Sequence, residues 1–225
     1  MTGSFFEILL CHTCGLRYPL PEGHPFGDRC PSCLGETEVV RREQMTHEMP
    51  REGDKLPEAF KLHALLDNIR SAWNVGSILR TADGFGFGHA YLCGITPTPE
   101  QEEVRKTALG AERFVTWSKH PNGLQKVLEL REAGWQILAL EKVVGSVPIQ
   151  LAAYWITQGP SVLVVGNEVT GVDPDILAVA NRVVHIPMRG QKRSFNVAVA
   201  FAAAAAIIHT KIIDYPWWTV DENVL

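Results

Sequence analysis

Neither an apolar run long enough to cross a membrane nor an excess of basic charge occurs in this 225-residue chain. The longest apolar stretch, Val197 to Ile208, is alanine-rich and falls well short of the about 20 residues a span requires, so no membrane segment is expected. Acidic side chains outnumber basic ones by 25 to 21, a formal net charge of −4. Binding to nucleic acid must then rest on local patches and not on a global field. No basic n-region precedes the first apolar stretch, which carries Glu7, so no signal peptide is expected and the chain reads as intracellular, cytoplasmic by default. A dinucleotide fingerprint is missing too: Gly84-x-Gly86-x-Gly88 has the wrong spacing and precedes a strand. The 46% apolar and 20% charged residues are otherwise an ordinary globular balance, in a chain long enough for one or two domains.

Cysteine is scarce, five residues in all, yet four fall in two pairs, Cys11-x-x-Cys14 and Cys30-x-x-Cys33. Two such knuckles about sixteen residues apart can set four thiolates tetrahedrally around Zn²⁺. Gly15 and Gly35 supply tight turns beside them. The surrounding segment is short and rich in Gly and Pro, so metal binding would supply its folding free energy. A disulfide pair is disfavoured without secretion, and a redox site needs only one C-x-x-C. His12 and His24 read as surface residues, and Cys93 as part of a buried strand.

The first 60 residues hold six basic and ten acidic side chains, and bound thiolates add negative charge. Any RNA contact there would be local, around Arg17, Arg29, Arg41 and Arg42, and composition does not choose between RNA and protein as the ribbon's partner. A zinc ribbon is expected over 1–40 and a proline-punctuated linker over 41–57. The main domain then runs over 58–212 and a tail over 213–225. The tail segment Tyr215-Pro216-Trp217-Trp218 is expected to pack in the core or an interface, with base stacking as the alternative.

After the linker, strands are expected at Leu62–Leu66, His89–Cys93, Phe114–Trp117, Gln136–Leu140, Ser161–Val165 and Arg182–Ile186. Helices are expected over about Asn74–Gly84, Asn122–Glu132 (closed by Gly134) and Asn196–Lys211. Apolar strands alternating with helices indicate an α/β fold with a mainly parallel sheet covered on both faces. Ligands then bind beyond the carboxyl ends of the strands.

Three stretches follow such strand ends. The first is Asp67 to Asp83, with Asn74 as a candidate helix cap, Gly76 and Arg80. The second is Gly166-Asn167-Glu168-Val169-Thr170-Gly171-Val172, after which Asp173-Pro174 starts a helix. The third is Ile186-Pro187-Met188-Arg189-Gly190-Gln191-Lys192-Arg193-Ser194-Phe195-Asn196. Singly, each residue has a bland reading: Asn74, Ser194 and Asn196 as caps, Glu168 as a helix-dipole partner, the cations as solvated loops.

In order and wording, the three stretches resemble the motifs of the SpoU/TrmH branch of the SPOUT RNA ribose 2′-O-methyltransferases. They are Asn74-x-Gly76-x-Ile78-x-Arg80-Thr81-Ala82, Gly166-Asn167-Glu168-x-x-Gly171-Val172, and Ile186-Pro187-Met188-x-Gly190 with Ser194-x-Asn196-Val197. Lys106-Thr107-Ala108-Leu109-Gly110-Ala111 resembles a family loop. The likeness covers about residues 60–210. Phe195 and Trp73 depart from it, where relatives usually carry leucine and often proline or glycine.

The resemblance implies a sheet with a C-terminal trefoil knot, which topology rules alone would not propose. It also implies S-adenosylmethionine held near Leu140, Gly166, Ile186, Met188 and Phe195, and methyl transfer to a ribose 2′-hydroxyl of tRNA or rRNA. Arg80 is implied as the catalytic residue, either as transient base or as a cation that orients phosphate and steadies the alkoxide. Asn74 would orient Arg80, Glu168 would shape the site near the sulfonium, and Ser194 with Asn196 would position Arg80 and the ribose. Lys192 and Arg193 would contact phosphate. A homodimer is implied as well, and Ala202–Ala206 offers a small-residue surface. Two other readings stand beside this one: an inactive RNA-binding or assembly protein on the same fold, and a zinc-ribbon adaptor whose larger domain only dimerises.

Overall fold

The polar stretch around residue 55 separates two units, Met1–Asp54 and Lys55–Leu225, in the computed structural model, which describes residues 5–24, 27–45, 60–151 and 159–214. The linker from residue 46 onward and the tail Tyr215-Pro216-Trp217-Trp218 lie outside the described residues.

In the first unit, β1 (Phe5–Cys11) is flanked antiparallel by β2 (Arg17–Pro21) and β3 (Thr37–Gln44). A bulge between Ile8 and Leu9 offsets the β1–β3 register. Strand β3 continues to Gln44, so positions 41–44, expected to begin the linker, are ribbon. The apolar core is little more than Leu9, Cys11 and Cys30, as a segment of this size dictates.

In the second unit seven parallel strands are ordered β6-β5-β4-β9-β7-β10-β8. They are β4 (Leu62–Asp67), β5 (His89–Cys93), β6 (Thr116–His120), β7 (Gln136–Leu140), β8 (Val147–Pro148), β9 (Ser161–Val165) and β10 (Arg182–His185). The described helices are α1 (Ala72–Gly84), α2 (Glu102–Ala108), α3 (Gly123–Glu132), α4 (Pro174–Val179) and α5 (Val197–Asp214). Side chains alternate along each strand. Ala64, Leu66, Ala90, Leu92, Leu138 and Leu163 face a core closed by α1 and α5. Leu65, Tyr91, Cys93, Ile137, Val162 and Val164 face a second core against α3 and α4. Both faces are dry, which is why the strands read as continuous apolar runs.

Four sequence expectations shift. Ser71, not Asn74, caps α1, accepting the Asn74 N–H. The strand expected at Phe114 begins at Thr116, and Phe114 lies exposed after a 3₁₀ turn at Ala111–Arg113. The loop expected at Lys106–Ala111 is largely the end of α2, closed by left-handed Leu109 and Gly110. Arg182 starts a strand that ends at His185.

At the β5–β6 edge a histidine relay fills the second face. The Thr116 hydroxyl donates to Gly88 O at 2.8 Å and so accepts the His89 Nδ1–H at 2.7 Å. His89 Nε2 is then an acceptor for the Ser118 hydroxyl, 2.8 Å away, which in turn accepts from His120 Nε2, also at 2.8 Å. His63 Nδ1 pairs with the Tyr91 hydroxyl at 3.0 Å and its ring packs on Trp135. Burial pulls His63 down to about 4, reinforced by the His89 and Lys61 charges. Burial also lowers His89 and His120. Between a His63 pKa of about 4 and the roughly 6.5 of an unfolded histidine, the unfolded chain binds more protons. Stability is therefore full above about pH 6.5 and falls on acidification through that window. Melting temperatures read from pH 7 to 4.5 should drop, and His63→Leu should flatten the lower part of the curve; an unchanged slope removes His63 from this role.

Candidate functional site

The ribbon brings its four cysteines to one point. Their sulfurs lie within 4.8 Å of one another, with Cys11 Sγ to Cys33 Sγ at 3.5 Å and Cys14 Sγ to Cys30 Sγ at 3.6 Å. Tetrahedral Zn–S bonds of about 2.3 Å separate sulfurs by about 3.8 Å, so the set fits zinc. Amide N–H groups of Cys14 and Ser32 point at the sulfurs of Cys11 and Cys30. The turns after the knuckles are left-handed at Gly15 and Leu34. A side chain at Gly35 would strike Thr13 and press on the Cys11 sulfur. His12 and His24 do not join the cluster.

In the second unit a cavity of about 290 Å³ opens at the carboxyl ends of β7, β9 and β10, near the lower end of small-molecule sites. Leu140, Glu141 and Lys142 line it from β7, Val165 to Val169 and Gly171 from β9, His185, Ile186 and Met188 from β10, and residues 193–197 from the loop into α5. All five residues expected to hold the methyl donor, Leu140, Gly166, Ile186, Met188 and Phe195, are in this wall. So are Glu168, Ser194 and Asn196. The apolar side chains suit a purine ring, and the carboxylates of Glu141 and Glu168 suit a cationic ligand. The backbone turns tightly here: a Cβ at Gly166 would sit 2.2 Å from Val172 N.

One carboxylate joins the three stretches. Glu168 accepts the Arg70 N–H at 2.8 Å, the Ser71 N–H at 3.0 Å and the Asn74 amide at 2.8 Å. Burial opposes its charge, but these bonds outweigh that and hold the carboxyl below the usual range. Asn74 Oδ1 accepts from Asn196 Nδ2 at 3.0 Å, while Asn196 Oδ1 caps α5 through Ala198 and Val199. Asn167 shapes the same turn: its Oδ1 accepts from Val169 and Thr170, and its Nδ2 donates to Asn68 O.

Arg80 is not brought to the cavity. Six residues past Asn74 on α1, it is rotated by about 240° and displaced by about 9 Å along the axis. It is exposed and has no hydrogen-bond or ion-pair partner among the described residues. The expectation that Asn74, Ser194 and Asn196 orient Arg80 is therefore not met within a single chain: Asn74 bonds to Glu168 and to Asn196, and Ser194 is exposed on the cavity wall.

Sequence reasoning missed Arg70, Lys142, His185 and Glu141. Lys142 and Arg70 are exposed and, like Arg189, Lys192 and Arg193, form no ion pair among the described residues. His185 donates Nδ1–H toward the Ser146 hydroxyl at 2.9 Å, since that hydroxyl itself donates to Val143 O. Glu141 accepts from Val172 N and Lys142 N. Glu141, Lys142 and His185 lie outside the motifs, and only strand order places them at the cavity, whereas Arg70 belongs to the first stretch and its N–H meets Glu168.

Residues 61–206 match the SpoU rRNA Methylase family. A tRNA (guanosine(18)-2'-O)-methyltransferase of Aquifex aeolicus is 35% identical over 135 residues, 60% of this chain and 62% of that protein. A 23S rRNA (guanosine(2553)-2'-O)-methyltransferase of Bacillus subtilis is 32% identical over 182 residues, 80% of this chain and 68% of that protein. An AdoMet-bound rRNA methyltransferase from Sinorhizobium meliloti shares the fold at a TM-score of 0.63 and 26% identity, covering 70% of this chain and 59% of that one. The match thus spans less than two thirds of the Aquifex protein.

Zinc held by the four cysteines should be stoichiometric by atomic absorption, and Cys33→Ser should lose it along with the ribbon's amide protection. A full complement of zinc in that variant would reject the site.

Proposed function

Because the chain belongs to the SpoU rRNA methylase family, we propose that it transfers a methyl group from S-adenosylmethionine to a ribose 2′-hydroxyl of tRNA or rRNA. One observation carries this reading. The second and third motif stretches line one cavity, Glu168 ties the first stretch to it, and its surroundings hold five cations with no ion pair among the described residues, Arg70, Lys142, Arg189, Lys192 and Arg193. A chain of net charge −4 gains its local affinity for a polyanion this way.

The bound donor supplies an electrophilic methyl on a sulfonium, and the reaction is an in-line displacement by the ribose oxygen. The residues do the rest. Leu140, Gly166, Ile186, Met188 and Phe195 would hold the donor, the apolar side chains among them excluding water from the cavity. Glu168 stays ionised at neutral pH and holds the Arg70–Asn74 segment against the donor site. Ser194 positions the ribose, while Asn196 fixes the start of α5. Arg80 acts on the 2′-hydroxyl as transient base or as the cation that steadies the alkoxide; a guanidinium favours the second, in which the hydroxyl proton passes to a substrate phosphate or to water. Lys192 and Arg193 hold phosphate.

The reading includes a homodimer in the cytoplasm and a trefoil knot in the C-terminal part of the sheet. Exposed Val199 and half-buried Ala202, Ala203 and Ala206 form a flat strip on α5. A second copy packed there gives Arg80 a route to a cavity it does not line in its own chain.

Arg80→Ala should keep S-adenosylmethionine affinity by calorimetry and lose methyl transfer to tRNA or rRNA by at least about a hundredfold. Full transfer would overturn the assignment. Sedimentation at micromolar concentration should show a dimer; a monomer alone would remove that part of the reading.

A further inference from the structure

Two side chains at the start of α1 have no use in the fold. Trp73 is 58% exposed on the first turn, outside both cores. Arg70 precedes it by three residues and is exposed with no ion pair among the described residues. The backbone that carries them is held firmly. Glu168 takes the N–H groups of Arg70 and Ser71, Ser71 caps the helix, and the Asn74 side chain ties the turn to Glu168 and Asn196. An exposed indole on a pinned backbone beside a ligand cavity is a preorganised contact surface.

The charges nearby choose its occupant. The carboxylate that meets this turn, Glu168, is engaged by three hydrogen bonds, whereas Arg70 and the cations of the 189–193 loop form no ion pair among the described residues. A neutral protein surface would leave those cations uncompensated. A strand of RNA offers both a phosphate for the guanidinium and a base face for the indole, a combination that needs no particular sequence.

We propose that Trp73 and Arg70 form an RNA clamp at the cavity, the indole stacking on a nucleobase of the substrate and the guanidinium holding a phosphate. The clamp rests on the reading above that the substrate is RNA. It acts on binding and not on the methyl-transfer step.

Trp73→Ala should raise the KM for unmodified tRNA or 23S rRNA transcripts by at least about fivefold, with kcat and S-adenosylmethionine affinity unchanged, and Trp73→Phe should restore most of the loss. Arg70→Gln, which keeps the backbone N–H on Glu168, should reduce the slope of log affinity against log salt by about one. An unchanged KM in Trp73→Ala, or a KM rise accompanied by dissociation of a dimer in sedimentation, would overturn the clamp. The same variants are titrated by fluorescence anisotropy against a labelled mixed-sequence 20-nucleotide RNA. If the wild type binds this RNA but transfers no methyl to either transcript, the proposed activity fails while the titration still decides the clamp.

Discussion

The hydrogen bonds on Glu168 set the geometry of the second unit's site. Its carboxylate reaches residues 70, 71 and 74, nearly a hundred positions away in sequence, and through Asn74 reaches the start of α5 at Asn196. Glu168 is an exposed residue, yet three N–H donors converge on its carboxylate, and these bonds both stabilise its charge and restrain the backbone that supplies them. The ends of β4 and β9 and the entry to α5 are thereby fixed relative to one another. Without that tie, the cavity wall would consist of three independent loops.

Backbone conformation supports the same corner. Gly166 admits the close approach of residues 171 and 172, and Gly94 admits the Asn68 side chain, which leaves no room for a Cβ there. Asn68 itself adopts a left-handed conformation that few residues tolerate. Asparagines recur at these turns because a short amide can serve the backbone on both sides. The chemistry-bearing residues are therefore displayed from positions whose conformation is already determined.

The parallel sheet was readable because strands buried on both faces are unbroken apolar runs, as Ser161–Val165 shows. The cysteine knuckles were readable because ligand spacing is itself the signal. What escaped has physical causes. Asn74 and Ser71 are both good caps, and spacing cannot say which one closes the helix; assigning the cap to Asn74 hid its tie to Glu168. The seven-residue α2 is too short and polar to show a periodic face. Arg80 was grouped with Asn74 by motif order, yet a helix separates residues six apart onto different sides. Trp73 was noted only as a departure from the motif and Arg70 was not singled out, since exposure is a property of packing and cannot be read from a residue type.

Strand order carries one more implication. The strand at the centre of the sheet, β9, is hydrogen-bonded on one side to β4, about a hundred residues earlier in the chain. Loop closure over such a distance is entropically slow. During synthesis the ribosome must deliver the chain through Val165 of 225 residues before that central pairing can form, and the apolar edge of β4 waits unpaired until then. The amino-terminal ribbon has no such delay, since its ligands lie within 23 residues of one another. Two parts of one polypeptide thus mature on different clocks, the first set by contacts local in sequence and the second by translation.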